Sequence, residues 1–124
     1  MFIFGNPPYL GGKIQSKEQK QDVISVLGHL PSFKNLDYIS CWFYKGGLYI
    51  KGSKAQCGFV STNSICQGEQ VSMLWQPIFN MDIIISFAYQ SFKWTNNAKN
   101  KAGVTCVIIG LCSSNNTKER QLYI

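Results

Sequence analysis

The tetrapeptide Asn6-Pro7-Pro8-Tyr9 has the residue types best suited to chemistry in this chain of 124 residues. Pro7 forces Asn6 into an extended conformation, and two successive prolines stiffen the backbone while removing two N–H donors. Acceptors remain, namely the side-chain oxygen of Asn6 and the carbonyls of Asn6 and Pro7, beside the ring of Tyr9. They suit a planar substrate with an amino group, because both N–H bonds can point to acceptors while an aromatic ring stacks on its face. The alternative interpretation is a proline-braced surface loop.

A short apolar run, residues 1–5, precedes this tetrapeptide and predicts a buried strand that turn-forming residues bring to an end. Open α/β sheets bind their ligands in the crevice beyond the carboxyl ends of their strands. We therefore expect the tetrapeptide to form an active-site loop at the edge of the sheet where the carboxyl ends of the strands lie.

Strands and helices alternate along the rest of the chain. Ser16 and Gln19 predict a capping box at the start of the first helix, and Asn35 is expected to cap the second. The alternation predicts an α/β fold with a mostly parallel sheet and helices on both faces, and the last two strands should form an antiparallel pair at one edge. The predicted strands are 1–5, 55–61, 82–88 and 103–111, and the predicted helices are 16–27, 36–50 and about 69–79.

Asn6-Pro7-Pro8-Tyr9 after an apolar strand resembles the catalytic motif of amino-group methyltransferases that use S-adenosylmethionine, above all the DNA adenine enzymes. Three later blocks resemble, in the expected order, those of large bifunctional restriction-modification enzymes: residues 55–71, 85–94 and 104–110. The likeness covers nearly the whole chain and is more specific than the tetrapeptide alone. It implies the C-terminal half of a Rossmann-like class I methyltransferase fold, with a mostly parallel sheet, an antiparallel edge pair and flanking helices.

The glycine-rich turn that normally holds S-adenosylmethionine is missing from this sequence, since no two glycines are separated by a single residue. The resemblance makes 1–5 the fourth strand of the complete fold. We therefore interpret residues 1–124 as a single partial catalytic domain, the substrate half, with a polar tail from about residue 113. Its S-adenosylmethionine site would be incomplete, with Asn6 as the cofactor-binding residue, and the isolated chain would be inactive.

The resemblance implies catalytic roles for Asn6, Pro7, Pro8 and Tyr9. Acceptors that bind both hydrogens of an adenine amino group would favour the pyramidal nitrogen of the transition state over the planar ground state. Neither a covalent nucleophile nor a metal is then required. In duplex DNA the base would first be flipped out and stacked on Tyr9. The expected substrate-binding residues are Asn63, Phe92, Lys93 and Trp94, although Phe92 and Trp94 could equally pack beneath the sheet.

The net charge of +6, taken together with the tetrapeptide, favours a polyanionic partner, which the resemblance implies is DNA. Lysines flank the tetrapeptide and the later aromatic block; the alternative is an ordinary solvated lysine surface. The hydrophobic runs are too short for a membrane span, and the start lacks the features of a signal peptide, so we expect a cytoplasmic location and no membrane partner. The lysines concerned are Lys13, Lys17, Lys20, Lys93, Lys99 and Lys101.

The five cysteines and the single histidine indicate neither disulfides nor a zinc site. The number of cysteines is odd, and no two of them form a C-x-x-C pair. His29 is interpreted as a loop or helix-end residue rather than as a base.

Two other classes of function remain open. An enzyme that resembles protein glutamine methyltransferases would use the same acceptors on an amide nitrogen. A non-catalytic subunit or remnant of a split restriction-modification enzyme would have no activity of its own.

Strand 1–5 would lack one of its two neighbours in the complete fold. We therefore expect a partner chain that carries the cofactor-binding half, or self-association through this strand. A charge at Ile3 should reduce this association.

Overall fold

A computed structural model describes residues 1–94, 104–115 and 120–124, and it contains one five-stranded sheet with helices. The strands are β1 (Phe2–Gly5), β2 (Gln56–Thr62), β3 (Ile83–Trp94), β4 (Val104–Ser113) and β5 (Gln121–Tyr123). The α-helices are α1 (Lys17–Leu27), α2 (Ser40–Ile50) and α3 (Gln76–Phe79), and short 3-10 helices span Phe33–Asn35 and Asn63–Cys66.

The start of α1 confirms the predicted capping box. The Ser16 N–H donates to Oε1 of Gln19 at 2.8 Å, and the Gln19 N–H donates to Oγ of Ser16 at 3.1 Å. These two bonds satisfy backbone donors that the first helical turn leaves without partners. At the other end, His29 follows the helix and its Nε2 lies 2.8 Å from the hydroxyl of Tyr44 in α2.

The predicted start of the second helix at residue 36, with Asn35 as its cap, is wrong. Asn35 ends a 3-10 turn, Leu36 is extended, and α2 begins at Ser40. The carboxylate of Asp37 caps the turn before the helix instead, because its Oδ1 accepts from the Ile39 N–H at 3.0 Å. Gly46 lies inside α2, where a Cβ would approach the Sγ of Cys57 to 3.0 Å. The glycine thus lets α2 lie close against β2.

The third helical segment covers the predicted residues 69–79. Glu69 and Gln70 are already helical, a π-helical turn follows at Val71–Trp75, and the segment continues into α3. The indole of Trp75 donates to the carbonyl of Ile65 at 2.8 Å in the interior. This bond ties the segment to the connection that leaves β2.

The sheet is mixed, which corrects the expectation of a mostly parallel one. Its strand order is β1-β2-β4-β3-β5, with β1 parallel to β2 and β3 parallel to β5. Because β4 runs against both of its neighbours, the two longest ladders are antiparallel. The expected antiparallel pairing of the last two predicted strands is confirmed, but the pair does not form the edge. Residues 121–123, expected in a polar tail, add β5 beyond β3.

The hydrophobic core lies on one face of the sheet. Phe43 of α2 contacts Phe59 of β2 and Trp75 with ring centroids 5.2 and 5.4 Å apart. The buried side chains of all three described α-helices join this core, so the expectation of helices on both faces is not met within the described residues. On the opposite face, Phe2 and Phe4 are 58% and 71% exposed. The prediction that residues 1–5 form a buried strand is therefore wrong, because β1 packs against the core through the partly buried Ile3 and leaves both phenylalanines to solvent.

Candidate active site

The loop that carries Asn6-Pro7-Pro8-Tyr9 leaves β1 at its carboxyl end, as predicted. Strand β2 runs parallel to β1, with Gly5 opposite Phe59, so the loop and Asn63 follow the same ends of adjacent strands. This shared edge is where open α/β sheets hold their ligands.

The antiparallel ladders bring two more predicted residues to this edge. Cys106 of β4 pairs with Thr62 on one side and with Phe92 on the other, and Lys93 pairs with Thr105. Phe92 is half-buried and Lys93 is exposed. The backbone of Trp94 pairs with Val104, but the Trp94 side chain, Lys99 and Lys101 lie outside the described residues.

Burial divides the loop into a fixed and an open part. Pro7 is buried and Tyr9 packs partly against the core, whereas Asn6 and Pro8 are exposed. The amide of Asn6 therefore faces outward from a backbone that the adjacent proline fixes in position. Such an amide is available as an acceptor for a ligand at the sheet edge.

The phenol of Tyr9 stays protonated well above neutral pH. Burial raises its pKa most, and the negative charges of the Cys106 thiolate and the Asp37 carboxylate raise the pKa further. A neutral phenol can stack on a planar ligand without placing a negative charge at the site.

Leu10, the residue after Tyr9, is held through both of its backbone polar groups. Its N–H donates to Oδ1 of Asp37 at 2.9 Å, and its carbonyl accepts from the Tyr38 N–H at 2.9 Å. The same carbonyl accepts from Nε2 of Gln15 at 3.0 Å. The loop is thus fixed at β1 on one side and at the start of α2 on the other.

A second glutamine supports the segment that holds Leu10. Oε1 of Gln70 accepts from the Asp37 N–H at 3.3 Å, and Nε2 of Gln70 donates to the Asn35 carbonyl at 2.6 Å. Asp37, Gln15 and Gln70 are not among the site residues predicted from the sequence. An Asp three residues before an apolar helix is a recognisable capping signal for Asp37. The glutamines bond backbone groups 5 to 35 residues away, through contacts that form only in the folded chain, and carry no capping or motif signal.

Around Asn63 the chain is polar and half-buried. The hydroxyls of Thr62 and Ser64 lie 2.7 Å apart, and Oγ of Ser61 donates to the Thr62 carbonyl at 2.9 Å. Asn63 itself opens the 3-10 turn that follows β2. Asn63 therefore begins the connection that leaves β2, and it lies at the same carboxyl-end edge of the sheet as Asn6.

Exposed lysines border the loop on the α1 side. Lys20 and Lys34 line a cavity of about 310 Å³ together with Gly12 and Gln15. Lys13 and Lys17 are exposed as well. Positive charge therefore lies next to the loop on the surface of the molecule.

Two kinds of feature are absent from the part of the chain that the structure describes. None of the helices there is both long and apolar enough to cross a membrane. Within the same residues, no group of three or more His, Cys, Asp or Glu side chains could hold a metal ion.

The fold is that of a DNA-methyltransferase domain. The family model described as "MmeI, DNA-methyltransferase domain" matches residues 1–124, and the chain belongs to this family. The resemblance to restriction-modification enzymes that the sequence indicates is thereby confirmed.

Two relatives illustrate the relationship. DNA methyltransferase A of Bacillus subtilis (strain 168) is 51% identical over 124 residues, which are 100% of this chain and 14% of that protein. A structure of the type IIL restriction-modification enzyme MmeI in complex with DNA superposes with a TM-score of 0.88 at 45% identity, over 98% of this chain and 16% of that one. The chain therefore spans about one seventh of each of these proteins.

Proposed function

We propose that this chain is the base-binding part of a DNA adenine methyltransferase, which transfers a methyl group from S-adenosylmethionine to the exocyclic amino group of a flipped adenine. The observation that carries the proposal is the anchored loop of Asn6 to Tyr9, which presents an exposed amide and a half-buried ring at the ligand-binding edge of the sheet. Membership of a DNA-methyltransferase domain family supports it.

The catalytic effect lies in the acceptors of the loop. Oδ1 of Asn6 and the carbonyl of Pro7 would accept the two hydrogens of the adenine amino group. Binding both hydrogens draws the nitrogen toward a pyramidal geometry and concentrates its lone pair for attack. Acceptors that are already in position cost no reorganisation during the reaction, which is why a stiff diproline loop suits this task.

The flipped base would stack on Tyr9, with Asn63 and Phe92 as further contacts at the same edge. Extrusion of a base costs a few kcal/mol, which stacking on aromatic rings partly offsets. Lys93 and the lysines that border the loop would contact phosphates. The DNA in the structure of the MmeI relative supports nucleic acid as the partner.

S-adenosylmethionine would supply the methyl group from its sulfonium centre. The exposed amide of Asn6, at the end of edge strand β1, fits one wall of a site for it. The sequence lacks the glycine-rich turn for the nucleotide, so we propose that the remaining walls come from polypeptide outside residues 1–124. We also propose that the enzyme works in the cytoplasm.

Membership of a DNA-methyltransferase domain family argues against a protein glutamine methyltransferase fragment, which would use the same acceptors but would be indifferent to DNA. A non-catalytic subunit of a split restriction-modification enzyme would retain the fold without the turnover. The exposed edge of β1 favours an association in either case, with a partner chain or with a second copy.

The test is a chimera in which this chain replaces the matching segment of the Bacillus subtilis relative. Asn6→Ala should reduce methyl transfer to DNA to near background, since one preorganised group of this kind contributes about 2.7–4 kcal/mol to the barrier. Asn80→Ala, at an exposed position after α3 and away from the site edge, is the matched control and should keep full turnover. Full turnover by Asn6→Ala would refute the acceptor mechanism.

A further inference from the structure

Leu10 is the point at which the candidate active-site loop rejoins the fold. Its N–H and its carbonyl are both bonded by residues that are almost completely buried, since Asp37 and Gln15 are each 8% exposed. A hydrogen bond to a carboxylate is stronger than one between neutral groups, and burial strengthens it further. The peptide that directly follows Tyr9 is therefore among the most firmly held parts of the loop.

We propose that Asp37 and Gln15 are positioning residues for methyl transfer: by fixing Leu10 they hold the Asn6 acceptors and the Tyr9 ring in the geometry that the flipped base requires. This inference rests on the proposed function, because it assigns a role within the same site. Acceptors contribute to catalysis only while they are held in place, and a misplacement of 1 Å can cost about 100-fold in rate.

The bonding pattern of Asp37 exceeds what a helix cap requires. Capping would need only the bond to the Ile39 N–H, but the same Oδ1 also accepts from Leu10, 27 residues earlier in the sequence. Gln15 likewise donates from one nitrogen to two carbonyls, those of Leu10 and Leu36. The two side chains therefore join the loop to the start of α2.

The effect of Asp37 on Tyr9 agrees with this geometry. The carboxylate is one of the charges that raise the pKa of the Tyr9 phenol, after burial and Cys106. Asp37 therefore acts on both residues of the Tyr9–Leu10 peptide: it raises the pKa of Tyr9 and accepts from the Leu10 N–H.

Three variants separate positioning from charge. Asp37→Ala removes the acceptor, whereas Asp37→Asn keeps an Oδ1 in the same place and removes the charge. Gln15→Met keeps the size of the side chain and removes the donors. Asp22→Ala is the matched control. Its carboxylate accepts from the hydroxyl of Tyr38, the residue after Asp37, at 2.6 Å, and it makes no bond to the loop.

The first measurement is amide hydrogen exchange in this chain, which needs neither DNA nor cofactor. In Asp37→Ala the Leu10 amide should exchange at least about tenfold faster, the change expected for a lost bond to a charged group. Amides of Phe59 and Ile109 in the sheet should keep their rates, Asp37→Asn should stay within about threefold of the parent, and Asp22→Ala should match it. An unchanged Leu10 rate in Asp37→Ala would overturn the inference.

A second variant decides the matter if Asp37→Ala does not fold. Gln15→Met should speed exchange of the Leu10 and Tyr38 amides by about threefold or more, since the loss of a neutral hydrogen bond loosens this junction. Unchanged rates for both amides in a folded Gln15→Met protein would overturn the inference as well.

Kinetics in the chimera provide the functional readout. Asp37→Ala and Gln15→Met should lower kcat by about 100-fold with little change in KM for DNA, while Asp37→Asn should keep kcat within about tenfold. If Asn6→Ala abolishes turnover but Asp37→Ala does not lower it, the positioning role is wrong and the proposed function stands. If Asn6→Ala keeps full turnover, the proposed function fails, and the role given to Asp37 fails with it.

Discussion

The ring of Phe87 in β3 lies directly over Gly110 in β4, on the sheet face opposite the helices. The two residues are register partners, and Gly58 of β2 continues the same row. A Cβ at Gly110 would overlap the Phe87 ring, and one at Gly58 would come within 3.3 Å of it. The glycines thus make room for an aromatic ring to cross the middle of the sheet.

Gly110→Ala should destabilise the fold by about 1–3 kcal/mol, because the Phe87 ring must move to admit the methyl group. Urea unfolding followed by fluorescence measures this loss. Gly11→Ala is the matched control, since nothing lies within 4 Å of its Cβ position, and its midpoint should stay near that of the parent. Adding Phe87→Leu to Gly110→Ala should restore part of the lost stability; strict additivity of the two changes would contradict the described contact.

Tyr9 should act through its ring rather than its hydroxyl. In the chimera, Tyr9→Ala should weaken capture of the flipped base by about 1–3 kcal/mol, whereas Tyr9→Phe should cost little. Fluorescence of 2-aminopurine at the target position reports capture. Equal losses in the two variants would show that the hydroxyl, not the ring, is what the base requires.

Among the described residues β1 pairs with β2 alone, and its open edge predicts association of the chain. The rings of Phe2 and Phe4 stack with centroids 5.5 Å apart and are largely exposed, and residues 1–5 contain neither lysine nor proline to protect the edge. Phe4→Lys should lower the apparent mass in light scattering. From the sequence, the charge that should reduce association is placed at Ile3. Phe4 is the better position, because Ile3 packs against the core. A parent chain that stays monomeric at high micromolar concentration would contradict this prediction.

Stability should fall in alkaline solution. Burial raises the pKa of the Cys57 thiol from 9.0 to about 11, and Cys112 adds to the rise; burial also raises the pKa of Cys41 to about 11. Below pH 9 these thiols are protonated in both states, so they add no pH dependence. Between pH 9 and 11 the unfolded chain loses protons that the folded chain keeps, which favours unfolding.

Urea midpoints at pH 8, 9 and 10 measure this effect. Cys57→Ala should be less stable at pH 8 but should lose less stability on going to pH 10. Ile109→Val, a core change without a thiol, should keep the slope of the parent. A flat profile for the parent between pH 8 and 10 would refute the prediction.

Local signals in the sequence predicted the parts of the fold that are determined locally. The Ser16 and Gln19 capping box is one, and the position of strand β1 directly before Asn6 is another, although β1 is largely exposed and not buried as predicted. Both depend on residues within a few positions of each other. The start of α2 was misplaced because two capping residues, Asn35 and Asp37, compete there, and the distant contact with Leu10 favours Asp37.

Pairing between distant segments could not be predicted in the same way. Strand β5 is short and exposed, and it forms because the edge of β3 is available to residues 121–123. The junction of Leu10 with Asp37 and Gln15 likewise depends on the folded arrangement. For the candidate site, the sequence named the loop and the residues at the shared edge, but not the residues that fasten the loop.

The strand order also determines when the sheet can be completed during synthesis on the ribosome. Strand β2, at residues 56–62, pairs with β4, at 104–113, and β3 is made between them but lies on the far side of β4. The nascent chain must therefore be extended by about 50 residues, which takes a few seconds at roughly 5–20 residues per second, before β2 gains its second neighbour. Once both have been synthesised, β3 and β4 can first pair as a hairpin and then dock as a unit onto β1 and β2.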